Sequence, residues 1–112
     1  MEIKFNEKLK EYGLYATKSY LKSEIVFVLD GLIYDKPTKY TIHIGDNKHI
    51  LDDYGVKMNH SFKPTTKIDN KNVVALVNIN SGDELTFNYN ASEINMASPF
   101  KVNGVAVSGK LN

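Results

Sequence analysis

Asn59 and His60 open a short polar run, Asn59-His60-Ser61-Phe62-Lys63-Pro64, and Tyr89 closes a second one, Glu84-Leu85-Thr86-Phe87-Asn88-Tyr89. An asparagine amide and a histidine imidazole carry donors and acceptors that match a purine edge or an ammonium group. Read bare, such a pair in a loop is usually a turn or a satisfied buried pair. A bare tyrosine is first of all a core residue with its hydroxyl satisfied. Aromatic faces are plentiful: Tyr40, Phe87 and Tyr89, with Tyr12, Tyr15 and Phe100 as further candidates. His43 and His49 recur closely enough to suggest a metal clamp, but no third ligand accompanies them and no metal is expected.

The elements that must position these residues read as strands. Ile25-Val26-Phe27-Val28-Leu29 is β-branched and apolar, as in a strand buried on both faces. Tyr40-Thr41-Ile42-His43-Ile44 alternates, meets a Gly45-Asp46-Asn47 turn and continues as His49-Ile50-Leu51, which predicts a hairpin. A second hairpin is expected from Thr65–Ile68 through Asp69-Asn70-Lys71 to Asn72–Val77, and Ser81-Gly82-Asp83 launches Glu84–Phe87. Ser19–Ser23 reads as a helical turn and Tyr54–His60 as a short helix; no long apolar stripe at helical spacing exists. The segments left irregular, Tyr12–Ala16, Asn59–Pro64 and Asn88–Asn90, are the best places for binding residues.

Bulk properties narrow the class. At 112 residues, with 42% hydrophobic and 24% charged, the chain reads as one globular domain with a modest core. A net charge of +1 gives no strong grip on nucleic acid or acidic membranes, so neither is an expected partner. Attraction of a cationic substrate would have to come from local carboxylates. The absence of cysteine excludes disulfides and thiolate zinc sites and fits an intracellular protein. With no signal-peptide pattern and no apolar run long enough to span a bilayer, a soluble, cytoplasmic protein is the default expectation.

The first polar run resembles the Asn-His-Ser-Cys-x-Pro-Asn signature of SET-domain protein-lysine methyltransferases, and the second resembles that family's Glu-Leu-x-Phe-Asp-Tyr signature, in the same order. The likeness extends over roughly residues 11–111. Gly13-Leu14-Tyr15-Ala16 is similar to the family's Gly-x-Gly-Leu-Phe-Ala, and Ser23-Glu24-Ile25 to its Gly-Glu-x-Ile. The 40–49 segment looks like the substrate-side strand of short SET proteins. Met96-Ala97-Ser98-Pro99-Phe100 resembles the stretch that closes over their cofactor. Five departures stand out. Glu11 and Ser23 occupy glycine positions, Phe62 replaces the cysteine and Thr65 the final asparagine, and the tail tracks a post-SET segment without its zinc cysteines.

The resemblance implies a mostly β, β-clip-like SET fold of small antiparallel sheets with a C-terminal pseudoknot. It implies a single domain over 1–112, with 91–112 as a post-SET-like extension without zinc ligands. It further implies S-adenosyl-L-methionine (AdoMet) as cofactor and a protein or peptide carrying a lysine, a histone tail or another protein, as partner. Cytoplasmic location would then become nuclear if the target is a histone. Tyr89 would orient the amine and stabilise charge near the transferring methyl rather than act as a strong base. Tyr40 would line the lysine channel, and Phe87 would leave space that permits multiple methylation. Gly13, Leu14, Tyr15, Asn59, His60, Tyr89 and Phe100 would hold the cofactor. Without zinc, Phe100, Val102, Val105 and Val107 would have to fix the tail by apolar contacts. The alternative is a degenerate SET domain that retains the fold, and even the cofactor, as a protein- or AdoMet-binding module.

Overall fold

Short alternating runs punctuated by turn residues fold here into four small sheets. The computed structural model describes residues 1–93, 96, 99–102 and 104–109. In chain order the elements are β1 (Glu2–Asn6), β2 (Glu11–Tyr15), β3 (Ile25–Val28), β4 (Leu32–Tyr34), β5 (Ile42–Gly45) and β6 (Lys48–Leu51). A single 3₁₀ turn, Gly55–Lys57, leads into β7 (Asn59–His60), followed by β8 (Thr66–Asp69), β9 (Asn72–Ala75) and β10 (Glu84–Phe87). A one-turn helix, α1 (Tyr89–Ser92), and a last hairpin, β11 (Phe100–Val102) with β12 (Val105–Val107), complete the chain.

The sheets are ordered β1-β2-β10-β7, β3-β9-β8, β4-β6-β5 and β11-β12. Among the described residues all strand pairings are antiparallel except one. β10 lies beside β7 in parallel, with Thr86 opposite Asn59 and Phe87 opposite His60, while its other edge pairs antiparallel with β2 through Leu85 and Leu14. The strand carrying the last motif thus runs between β2 and the Asn-His strand. This is the mostly β, small-sheet architecture expected from the sequence.

The core sits where the inner faces meet: Leu14, Leu29, Ile50, Met58, Val73, Ile79 and Leu85 are wholly buried there. Apolar burial of this kind is the main driving force for such a fold. Gly55 is what lets the 3₁₀ turn sit on this core. A Cβ there would come within 2.8 Å of Leu29 Cδ2 and 2.9 Å of Ile42 Cδ1. Asp52 secures the same turn, accepting the N–H groups of Asp30, Tyr54 and Gly55.

Both expected hairpins form, as β5–β6 and β8–β9. Other expectations are corrected. β3 is an edge strand with Val26 buried but Ile25 and Val28 exposed, not one buried on both faces, because no element packs over those two side chains as the core packs over Val26. Tyr40 precedes β5 in a Thr38–Thr41 turn instead of lying in the strand. Ser19–Ser23 is not helical, since Tyr20 bridges Ile79. Only Gly55–Lys57 of the expected 54–60 helix is helical, and Asn59–His60 is captured as a strand by β10. Ser23, at one of the altered glycine positions, adopts φ +77°, a left-handed conformation that costs an L-residue roughly 1–2 kcal/mol. Ala97 and Ser98 of the expected closing stretch, and residues 94, 95, 103 and 110–112 of the expected tail, lie outside the described residues.

Candidate active site

The parallel β7–β10 pair brings the two sequence motifs side by side. His60 Nδ1 accepts the backbone N–H of Tyr89 at 3.0 Å. An Nδ1 that accepts leaves the proton of the neutral ring on Nε2, and burial pushes His60 below its ordinary pKa, which favours that neutral form. Nε2 is buried without a hydrogen-bond partner among the described residues. The site therefore holds a donor that lacks an acceptor, an arrangement that is costly unless a ligand completes it.

Tyr89 is tied to the same strand segment from its other end. Its hydroxyl donates to the Met58 carbonyl at 2.6 Å. Burial first, then the carboxylates of Glu93, Glu11 and Glu84, push its pKa well above the usual phenol range. The hydroxyl stays protonated at any physiological pH, so it can orient and donate but cannot serve as a base. Phe87, buried, packs beside it with ring centroids 4.6 Å apart. His60 stands edge-to-face against Phe62 at 4.4 Å and, more loosely, against Phe100 at 6.1 Å. Phe62, which stands where the resembled signature has a cysteine, is thus part of the histidine's packing.

These groups surround one cavity of about 450 Å³, within the range of small-molecule sites. Of the residues singled out from sequence, Tyr40, Asn59, His60, Phe87, Tyr89 and Phe100 all line it. Tyr40 stands at the rim, largely exposed, with Lys39 Nζ 5.8 Å from its ring centroid. Gly13, Leu14 and Tyr15 are not on this wall. Leu14 is core, and Gly13 makes room for a polar pair behind the wall. The Asn59 amide donates to the Tyr12 carbonyl at 2.9 Å and to Glu84 Oε2 at 2.8 Å, and a Cβ on Gly13 would lie 2.8 Å from that Glu84 oxygen. Both N–H groups of Asn59 are therefore engaged within the protein.

Several contributors were not singled out from sequence as site residues. Glu93, only 6% exposed, lines the cavity, and its Oε2 accepts the backbone N–H of His43 at 2.8 Å. Burial raises its pKa to about 6, against the opposing influence of His43. The one signal in the sequence was its isolation: it is the sole charged residue in the run from Leu85 to Phe100. Glu11, noted only as an altered glycine, adds a second carboxylate to the wall. His43 and His49 stack at 4.9 Å, and both His43 nitrogens face carbonyl oxygens, of Ser92 at 2.9 Å and Asp46 at 2.7 Å. Among the described residues no group of three or more His, Cys, Asp or Glu side chains is arranged to hold a metal ion.

Thr65, another departure, knits the crossing together. Its hydroxyl donates to the Glu84 carbonyl at 3.0 Å and accepts the Thr86 N–H at 3.0 Å. The tail is held mainly by Asn90, whose amide donates to the Ala106 carbonyl and accepts the N–H groups of Ser108 and Gly109. Apolar contact alone does not fix it as expected: Val107 is wholly buried, but Val105 and Phe100 remain exposed.

No protein-family model and no curated protein matches this chain. Among solved structures it is similar to a Plasmodium falciparum protein provisionally named a histone methyltransferase, at 21% identity over 79% of this chain and 94% of that one, with a TM-score of 0.61. At that level of identity the likeness establishes a shared fold. Among the described residues, no helix is long and apolar enough to cross a membrane.

Proposed function

We propose that this chain is a SET-type, AdoMet-dependent protein-lysine methyltransferase. The observation that carries this reading is the parallel β7–β10 crossing, which sets His60, Phe87 and Tyr89 on one cavity with Tyr89 fixed at both its N–H and its hydroxyl. The fold shared with the Plasmodium protein supports the same class.

The residues present fit the cofactor. The Nε2–H of His60, without a partner among the described residues, suits an acceptor nitrogen of a purine. When bound, AdoMet would supply an electrophilic methyl group on a sulfonium. The chain's own residues would do the rest. Tyr40, Phe87 and Tyr89 would wall in the lysine side chain, strip water from its amine and favour its neutral form. Tyr89, held protonated, would direct its hydroxyl oxygen toward the amine and keep the reactants in near-attack geometry. The partner is a lysine-bearing protein or peptide, with neither nucleic acid nor membrane involved.

A binding-module reading has one observation in its favour: the Asn59 amide and Gly13 serve internal packing rather than the cavity. Calorimetric titration with AdoMet and its demethylated product tests both. Stoichiometric binding by the intact protein, lost in His60→Ala, together with methyl transfer to a lysine peptide, is expected. Binding without transfer would favour the module, and no binding by a folded sample would end the enzyme reading.

A further inference from the structure

Two carboxylates in this protein are equally buried, Asp52 and Glu93, each 6% exposed. Their surroundings differ sharply. Asp52 lies away from the main cavity, and its two oxygens accept three backbone N–H groups, so its charge is fully matched by structure. Glu93 lines the main cavity and has a single such bond, from His43 to Oε2. Its Oε1 has no hydrogen-bond partner among the described residues. The neighbouring Ser92 hydroxyl lies close enough to favour the ionised form. A largely buried carboxylate with a single backbone hydrogen bond, set on the wall of a ligand-sized cavity, is placed to meet a proton or a cation there.

We propose, resting on the methyltransferase reading above, that Glu93 takes the proton from the substrate ammonium. An N–H bond of the ammonium breaks with its electron pair left on nitrogen, and an O–H bond forms on Glu93. The neutral amine then has the lone pair that accepting a methyl group requires, and Glu93 returns the proton to solvent after product leaves. In a desolvated channel a neutral amine beside a neutral acid costs less than two buried charges. Tyr89 cannot take this proton, since its hydroxyl already donates to Met58.

The placement suits the task. Glu93 follows α1 directly, its N–H bonded to the Tyr89 carbonyl at 2.8 Å, so the acceptor and the orienting tyrosine move as one unit. β5 clamps it from the other side through the His43 N–H, with the His43 imidazole itself bound to the Ser92 carbonyl. The other charged or titratable groups around the same cavity are Glu11, Lys39, Tyr40, His60 and Tyr89. Of these, only Glu11 is a second carboxylate, and it is exposed to solvent. It serves to attract the ammonium rather than to hold its proton in a dry site.

The full chain, Glu93→Gln and Glu93→Asp are compared from about pH 6 to about pH 10, with an alanine-lysine repeat peptide as methyl acceptor. Glu93→Gln should lose roughly 10²–10⁴-fold in kcat near neutral pH with little change in KM. That deficit should shrink about tenfold per pH unit toward the amine's own pKa near 10.4. Glu93→Asp should keep the wild-type profile at a lower rate. A deficit of the same size at every pH, or none, in an active protein overturns the role of Glu93 and leaves the methyltransferase reading standing. No AdoMet binding and no methylated peptide from wild type overturns both. Infrared difference spectra supply a readout that needs no turnover. Adding n-butylammonium to the protein loaded with demethylated cofactor should produce a protonated-carboxyl band in wild type that Glu93→Gln lacks. Its absence from wild type overturns the proposal.

Discussion

Tyr89 is constrained at both ends, N–H on His60 and hydroxyl on Met58, while its surroundings hold it protonated. Replacing it by Phe keeps the ring and the backbone bond but removes the hydroxyl. Methyl transfer should fall by roughly 10²–10³-fold if that oxygen stabilises developing charge, with AdoMet affinity by calorimetry unchanged; equal turnover would show the hydroxyl to be structural. Glu93 yields a second consequence, in stability. Its pKa rises from an ordinary 4.5 to about 6 because burial disfavours its charged form. Below about pH 4.5 the group is protonated in the folded and unfolded chains alike, and its contribution is complete. As pH climbs through 6 the native carboxyl must ionise in a buried place, and about 2 kcal/mol of stability is lost. Glu93→Gln should therefore be more stable than wild type by up to about that amount near neutrality, with the two urea midpoints converging as pH falls to 4.5. A gap independent of pH would contradict the assigned cause.

At the scale of elements, the C-terminal hairpin β11–β12 is tied to α1 by the Asn90 amide, beside the buried Val107 and the bond from the Met96 N–H to the Ser108 carbonyl. Asn90 reaches from α1 to the carbonyl of Ala106 and the N–H groups of Ser108 and Gly109 with three hydrogen bonds. Asn90→Ala removes all three at once. At about 1 kcal/mol each, the loss is large enough to free the hairpin without unfolding the sheets. Amide exchange in 100–107 should accelerate, exchange in β8–β9 should stay unchanged, and AdoMet binding should weaken because Phe100 and Val102 leave the cavity wall. Uniform exchange along the whole chain would mean that the tail is anchored by something other than Asn90.

Across the whole molecule, what could be read in advance divides by the range of the interaction. The β5–β6 and β8–β9 hairpins were legible because Asp46 and Asn70, both at positive φ, write their turns into adjacent residues. The crossing of β7 with β10 has no such local signature. β7 is two residues long, pairs in parallel with a distant segment, and could be expected only through motif resemblance. The burial of Glu93 was illegible for a related reason, since its environment is supplied by β5 and the cavity rather than by its neighbours in the chain. The altered positions read only as departures until their contacts were known: Thr65 joins β10, and Phe62 packs His60. The inner place of β10 in its sheet also bears on biosynthesis. β2 and β7 emerge from the ribosome well before Glu84, and until β10 arrives their facing edges have no neighbour, an invitation to wrong pairing that a cell must manage. The site is accordingly among the last things this chain builds. A nascent chain that stops short of Glu84 already holds the entire Asn-His segment and can make no site of it.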